Sequence, residues 1–212
     1  MHAPDPITHW LRPFSLREYH QIVDAGIIPS DERVELLNGL LVKMSPPAPY
    51  HTSIIQTLAQ LLEPAASGRL SLRVQLPLSL NLTSELCPDI AMVAHPTVHA
   101  TRYPDTATLI IEVARDTLSK DRGLKRAIYA HAGIPEYVVV NLPEQHIEIS
   151  RDPIPGSSLY GRHDVSKMTA PLQLESLPAF AIDVLQTIPL TLLDEWRDEK
   201  TNPPWRDRPP RA

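Results

Sequence analysis

The sequence predicts an α/β (α+β) domain in which a mixed β-sheet is flanked by helices. Three observations lead there. DIAMV (89–93) and LIIEV (109–113) are short and almost wholly apolar, the pattern of central strands covered on both faces. The order strand–helix–strand across 108–142 predicts a right-handed crossover joining parallel strands. Ahead of both, an amphipathic helix and a hairpin signal open the domain.

FSLREYHQIVDAG (14–26) carries apolar residues at helical spacing, with Ser15 as the expected cap and Gly26 as the stop. RVELLNGLLVKMS (33–45) is two apolar runs joined by Asn38-Gly39, which supply the positive φ of a tight turn; strands are expected at 33–37 and 40–44. PPAPY (46–50) is a stiff connector. A helix is expected over 51–66, with Ile54, Leu58, Leu61 and Leu62 on one face and Pro64 at or past its end. LSLRVQLPLSL (70–80) alternates as one half-buried strand. Helix 118–132 should end at Gly133, and EYVVVNL (136–142) reads as a central strand. HIEISRD (146–152) pairs with it through Pro143, Glu144 and Gln145. Beyond 153 the signals are those of peripheral strands and short helices, LTLLDEW being the last helix candidate. Residues 1–192 are expected to form a single domain and 193–212 a Pro-rich charged tail.

Composition narrows the functional classes. The chain has 212 residues, 42% of them hydrophobic, and a formal net charge of −5. A dedicated tight nucleic-acid binder is usually basic, because phosphate neutralisation drives affinity; an enzyme with a local basic lip and an acidic metal site is compatible with this charge. Aromatic residues are only 5%, too few for a base-stacking platform. No apolar run is long enough to span a membrane. Cys87 is the lone cysteine, so neither an internal disulfide nor a thiolate metal cage can form, and a reducing cytoplasm is the expected compartment.

Two acids interrupt runs that otherwise read as core strand. Asp89 follows Pro88 at the mouth of one; Glu112 lies between Ile111 and Val113 in the other. Alternation places Leu109, Ile111 and Val113 on one face and Ile110 and Glu112 on the opposite one. A buried carboxylate is costly unless paired or metal-bound. One reading is a structural ion pair with Arg115, Arg73 or Lys125, and a turn role for Asp89. The other is convergence of both acids on a hard cation, since Mg2+ is usually held by one or two carboxylates, waters and substrate phosphate. Lys125, on the following helix, either pairs with Asp121 one turn away or points its ammonium at the two acids.

The ordered segments PDIAMV and LIIEVARDTLSKDRGLKRAIYAHAGIPEYVVVNLPEQHIEISRDP, with ERVELLNGLLVKMSPPAPYH and the QLPLSL strand, resemble Uma-type restriction endonucleases of the PD-(D/E)XK nuclease superfamily. The resemblance implies a restriction-endonuclease-like mixed central sheet with an N-terminal helix and hairpin. It implies Mg2+-dependent (Mn2+ may substitute) hydrolysis of DNA phosphodiesters and a homodimer, as nucleases of this kind often pair to cut two strands. Carried over by position, Asp89 and Glu112 become metal ligands and Lys125 the motif lysine. In the superfamily pattern the lysine stands two places after the acid, where this chain has Ala114; Lys120 is therefore a rival to Lys125. Glu35 would help bind a second metal or order a water, His51 would stand beside the metal, and Gln75 would lie on the rim. Lys120, Arg122 and Arg126 are candidates for backbone phosphates, with an ordinary solvated face as the alternative. His95, His99 and His131 show no metal-ligand spacing. The competing functional reading is a catalytically inactive nucleic-acid-binding or structural homodimeric module on the same fold, motivated by the acidic charge and the displaced lysine.

Overall fold

A computed structural model describes residues 11–44, 46, 48–66, 70–95, 101–189 and 191–192. The expected tail at 193–212, most of the LTLLDEW candidate and His99 lie outside the described residues.

Helix α1 (Leu16–Asp24) starts where expected: the Ser15 side chain accepts from the Glu18 N–H while Glu18 accepts from the Ser15 N–H, a reciprocal capping box. Strands β1 (Val34–Leu37) and β2 (Leu40–Lys43) form the hairpin, with Asn38 at φ 49° and Gly39 at φ 81° in its turn. The hairpin glycine is also required by space, because a Cβ there would lie 2.3 Å from the Pro13 Cβ. Helix α2 (Pro49–Leu62) begins two residues earlier than predicted, as Pro49 sits in the first turn where its missing N–H costs nothing. It runs on as a 3-10 turn (Glu63–Ala66) containing Pro64.

The segment predicted as one strand over 70–80 is two. β3 (Leu70–Val74) and β4 (Leu78–Asn81) belong to different sheets, and the break falls at Gln75, whose φ is 49°. Alternation of side chains persisted through the break, and periodicity alone could not register the change of direction. β5 (Ser84–Leu86), too short to predict, pairs with both β1 and β4.

β6 (Ile90–Ala94) and β7 (Leu109–Ala114) follow. The next helical segment is one run with an internal π turn: α3 (Leu118–Lys120), the π turn Asp121–Lys125, then α4 (Arg126–His131). β8 (Glu136–Asn141), β9 (His146–Pro153), β10 (Tyr160–Lys167) and the small pair β11 (Leu172–Gln173) and β12 (Ala181–Ile182) complete the chain's strands among the described residues. A six-stranded sheet has the order β10-β9-β8-β7-β6-β3, and a four-stranded sheet the order β2-β1-β5-β4. In the larger sheet β7 and β8 pair in parallel, the expected crossover, and every other pairing is antiparallel.

The larger sheet separates two cores. Leu109, Ile111 and Val113 pack with Ile54, Ile55, Leu58 and Leu62 of α2. Ile110 and Ala114 pack on the other face with Ile128 and Tyr129 of α4 and with Leu37, Leu78 and Leu86 of the smaller sheet. Glu112 lies on this second face, in the seam between the large sheet, the small sheet and the π turn. No helix among the described residues is long and apolar enough to cross a membrane.

Candidate active site

Register explains why the two acids meet. Ile90 pairs with Ile111, so one step further along the same antiparallel ladder Asp89 stands opposite Glu112. Val74 pairs with Ile90, so Gln75 stands opposite Asp89 on the other side, and its N–H donates to the Asp89 carbonyl at 3.1 Å. Glu112 pairs with Val139, and Val139 with Glu148. Gln75, Asp89, Glu112, Val139 and Glu148 therefore form one row across five strands, and paired residues share a face.

At this end of the ladder, side chains take over from backbone. Asp89 Oδ2 accepts from the Val113 N–H at 2.9 Å, and Glu112 Oε2 accepts from the Asp89 N–H at 3.3 Å. Glu112 Oε1 is the well-bonded oxygen, taking Lys125 Nζ at 2.8 Å and the Tyr129 hydroxyl at 2.9 Å. Among the described residues Asp89 Oδ1 has only a long contact, from Gln75 Nε2 at 3.3 Å. Each acid thus keeps one oxygen with spare acceptor capacity. Both line a cavity of about 70 Å3, with His51, Gln75, Cys87, Thr117, Lys120, Asp121, Lys125, Arg33 and Met44 in its wall.

Lys125 is buried and bridges two acids, meeting Glu112 Oε1 at 2.8 Å and Glu35 Oε1 at 3.1 Å. The pairing with Asp121 one turn away is not its principal contact. Glu35 is fully buried: Oε1 also accepts from the Cys87 N–H at 2.9 Å, and Oε2 faces Lys120 Nζ at 3.4 Å. It does not line the cavity; it stands behind the two lysines and pairs with both. Lys125, not Lys120, reaches Glu112.

His51 enters from the first turns of α2. Its Nε2 lies 2.9 Å from the Val113 carbonyl and 3.2 Å from Asp89 Oδ2. Both neighbours only accept, so Nε2 carries a proton. Nδ1 is buried and without a hydrogen-bond partner among the described residues.

The electrostatics follow from crowding. Burial, with Asp89, Asp121 and Glu35 close by, outweighs Lys125 and raises Glu112 to about 8. Burial also works to raise Asp89, but the His51 hydrogen bond and charge, the Val113 N–H and Lys125 prevail and hold it below its ordinary value. Burial disfavours the Lys125 ammonium, yet Glu112, Glu35 and Asp121 raise it above the usual lysine value. Burial likewise opposes charge on His51, and Asp89 overcomes it and raises it. Asp121 is pushed up by burial, and its Oδ1 has no hydrogen-bond partner among the described residues. Among the described residues no group of three or more His, Cys, Asp or Glu side chains is spaced as a metal cage.

Of the residues singled out in the sequence, the structure brings Asp89, Glu112, Lys125, His51, Gln75 and Lys120 around one cavity. Two candidates are elsewhere. Arg122 is turned away and forked onto Glu148 (Nε to both oxygens at 2.9 Å) and Glu144 (Nη2 at 2.6 Å), so its donors are committed to protein carboxylates. Arg126 does not line the cavity and lies with its charge near Tyr160. Tyr129, Asp121 and Thr117 were missed: on a helix an apolar-face tyrosine and an Asp read as core and surface, and the π turn that re-aims them has no sequence signature.

Residues 16–185 match the model of the Uma2 family, described as "Putative restriction endonuclease". No curated protein matches the chain. Among solved structures, the crystal structure of a "putative nuclease belonging to DUF820 from Anabaena variabilis ATCC 29413" aligns with a TM-score of 0.62 at 14% identity, covering 85% of this chain and 99% of that one. At that identity the likeness establishes the fold.

Proposed function

As the chain belongs to the Uma2 restriction-endonuclease family, we propose that it hydrolyses DNA phosphodiester bonds with Mg2+ as cofactor, at the cavity between Asp89, Glu112 and Lys125. The observation that carries this reading is the opposition of Asp89 and Glu112 across one ladder, each with an under-used oxygen, beside a buried ammonium.

The donor set fits a hard cation. Asp89 and Glu112 would hold it through oxygen, and waters with substrate phosphate would complete an octahedron, which is why a ready-made cage is unnecessary. A carboxyl raised to about 8 is a site short of positive charge, and a divalent cation supplies what Lys125 alone does not. When bound, the cation would contribute Lewis acidity toward the scissile phosphate and the attacking water.

The chain's own groups do the rest. Lys125 spends two of its three N–H donors on Glu112 and Glu35, leaving one for a phosphate oxygen as negative charge gathers there. The bare Nδ1 of His51 accepts a proton from water when the ring is neutral, or donates to phosphate when it is charged. Gln75 and Tyr129 fix the two carboxylates. Purified protein incubated with plasmid DNA and Mg2+ or Mn2+ tests this: nicking or linearisation is expected for wild type and none for Glu112→Gln. Equal cleavage by both would overturn the assignment.

A further inference from the structure

The small cavity does not end blindly. Arg33, Met44 and Cys87 in its wall also line a second, larger cleft of about 560 Å3, completed by Tyr19, Val23, Ile28, Pro29 and neighbours at the C-terminal end of α1. The two spaces are thus adjoining rooms with a shared partition. The cleft is in the size range of small-molecule sites, and most of its side chains are apolar or aromatic.

Arg33 stands at the partition. It lies two residues before Glu35 and so shares the face of β1 that looks toward the acids. Its carbonyl accepts from the Met44 N–H at 2.9 Å, which anchors the backbone. Its guanidinium is exposed and makes no side-chain hydrogen bond or ion pair among the described residues. The adjacent acid, Glu32, is held instead by Lys43 at 3.2 Å. An uncommitted fork of donors next to four carboxylates (Asp89, Glu112, Glu35 and Asp121) is suited to a planar or tetrahedral anion arriving from solvent.

We propose that this cleft is a subsite for one nucleotide of the substrate strand, with Arg33 holding the phosphate next to the scissile one and the base lying against Tyr19, Val23, Ile28 and Met44. The inference rests on the phosphodiesterase reading of the neighbouring cavity. It makes the strand enter from the α1 side, not from the α4 side where Arg122 is committed to Glu148. The apolar wall accepts any base, so the subsite grips the strand without reading its sequence.

The test is anisotropy of a fluorescein-labelled single-stranded DNA oligonucleotide with the full chain in EDTA, over a range of salt. Arg33→Ala should weaken binding about tenfold and reduce the slope of log affinity against log salt by about one. Arg162→Ala, the same charge loss on distant β10, should do neither. Val23→Trp, a substitution at an exposed helix position, should fill the cleft and weaken binding with the salt slope unchanged. Equal affinities for Arg33→Ala and Arg162→Ala, or no measurable binding by wild type, would overturn the subsite. Unchanged affinity in Val23→Trp would overturn the base pocket. The two readings separate: binding lost in Arg33→Ala without plasmid cleavage by wild type supports the subsite and refutes the hydrolase, and Mg2+-dependent cleavage with Arg33→Ala binding normally refutes the subsite alone.

Discussion

Glu112 and Glu148 are buried carboxylates in the same cross-strand row, one strand apart on either side of Val139, and one π turn covers both. Their fates differ because the turn offers them different cations. Arg122 forks onto Glu148 through Nε and Nη2 and Asn141 Nδ2 adds a bond at 2.7 Å, so a planar guanidinium and an amide brace that carboxylate. Lys125, three residues on, gives Glu112 a point charge on one oxygen and shares itself with Glu35. The second oxygen of Glu112 is left to a long contact with the Asp89 N–H. The same motif of strand acid and helix cation therefore builds a closed brace on one side of Val139 and an under-neutralised centre on the other. Burial and ion pairing do not separate the two acids, and each receives three donors; what separates them is that Glu112 lines the cavity and Glu148 does not.

The sharpest way to break the comparison is to neutralise each acid in turn. Glu112→Gln should lower Mg2+-dependent cleavage by at least about a hundredfold, and Glu148→Gln should leave it within a few-fold at permissive temperature, as measured by plasmid nicking rates. Comparable losses for both would mean that the two centres are not functionally distinct. The cations come next. Lys125→Met removes the partner of two buried acids and should cost about 3 kcal/mol in urea unfolding without metal. Arg122→Met, whose side chain is 35% exposed, should cost about 1–2 kcal/mol, because Asn141 still serves Glu148. Added Mg2+ should recover stability in the first variant and not in the second.

A third measurement follows the proton. Glu112 is raised from 4.5 to about 8, so between those values the metal-free folded protein holds a proton that the unfolded chain has released. Stability should therefore fall as pH rises from about 5 to about 8 and level off above, with the slope reduced in Glu112→Gln. Mg2+ must displace that proton, so its apparent affinity should rise toward pH 8, by at most about tenfold per unit, and then flatten. Calorimetric titration in buffers of differing ionisation enthalpy would detect the released proton, and its absence would show that Glu112 is already ionised.

How much of this was legible beforehand divides along physical lines. The hairpin, α2, the parallel pair β7 and β8 and the face assignment of Glu112 were readable because Asn38-Gly39, side-chain period and apolar runs are local signals. The meeting of Asp89 with Glu112 was one of two readings the residues left open, and the resemblance favoured it, as ladder register between β6 and β7 is not encoded in either strand alone. The break at Gln75 was hidden by an unbroken alternation. Arg122 could not be told from Lys120 or Lys125 in sequence, where cations near a site look alike; in the structure Glu144 and Glu148 claim its donors.

The smallest expected effect probes how finely the open centre is tuned. The Tyr129 hydroxyl donates to the same Glu112 oxygen as Lys125 and helps hold the carboxylate with its other oxygen toward the cavity. Tyr129→Phe deletes that donor without changing the ring, so its packing on Tyr137, at 4.9 Å between centroids, should survive. The stability cost should be about 1 kcal/mol, the net worth of one buried hydrogen bond whose acceptor keeps another partner. Its effect on the site should appear as a looser carboxylate: a several-fold weaker Mg2+ half-saturation with the rate at saturating metal nearly unchanged. A fall in the saturated rate with unaltered metal dependence would instead place Tyr129 in contact with the reacting groups. That result would move the boundary of the active centre past Glu112 and into the helix face that the comparison treats as support.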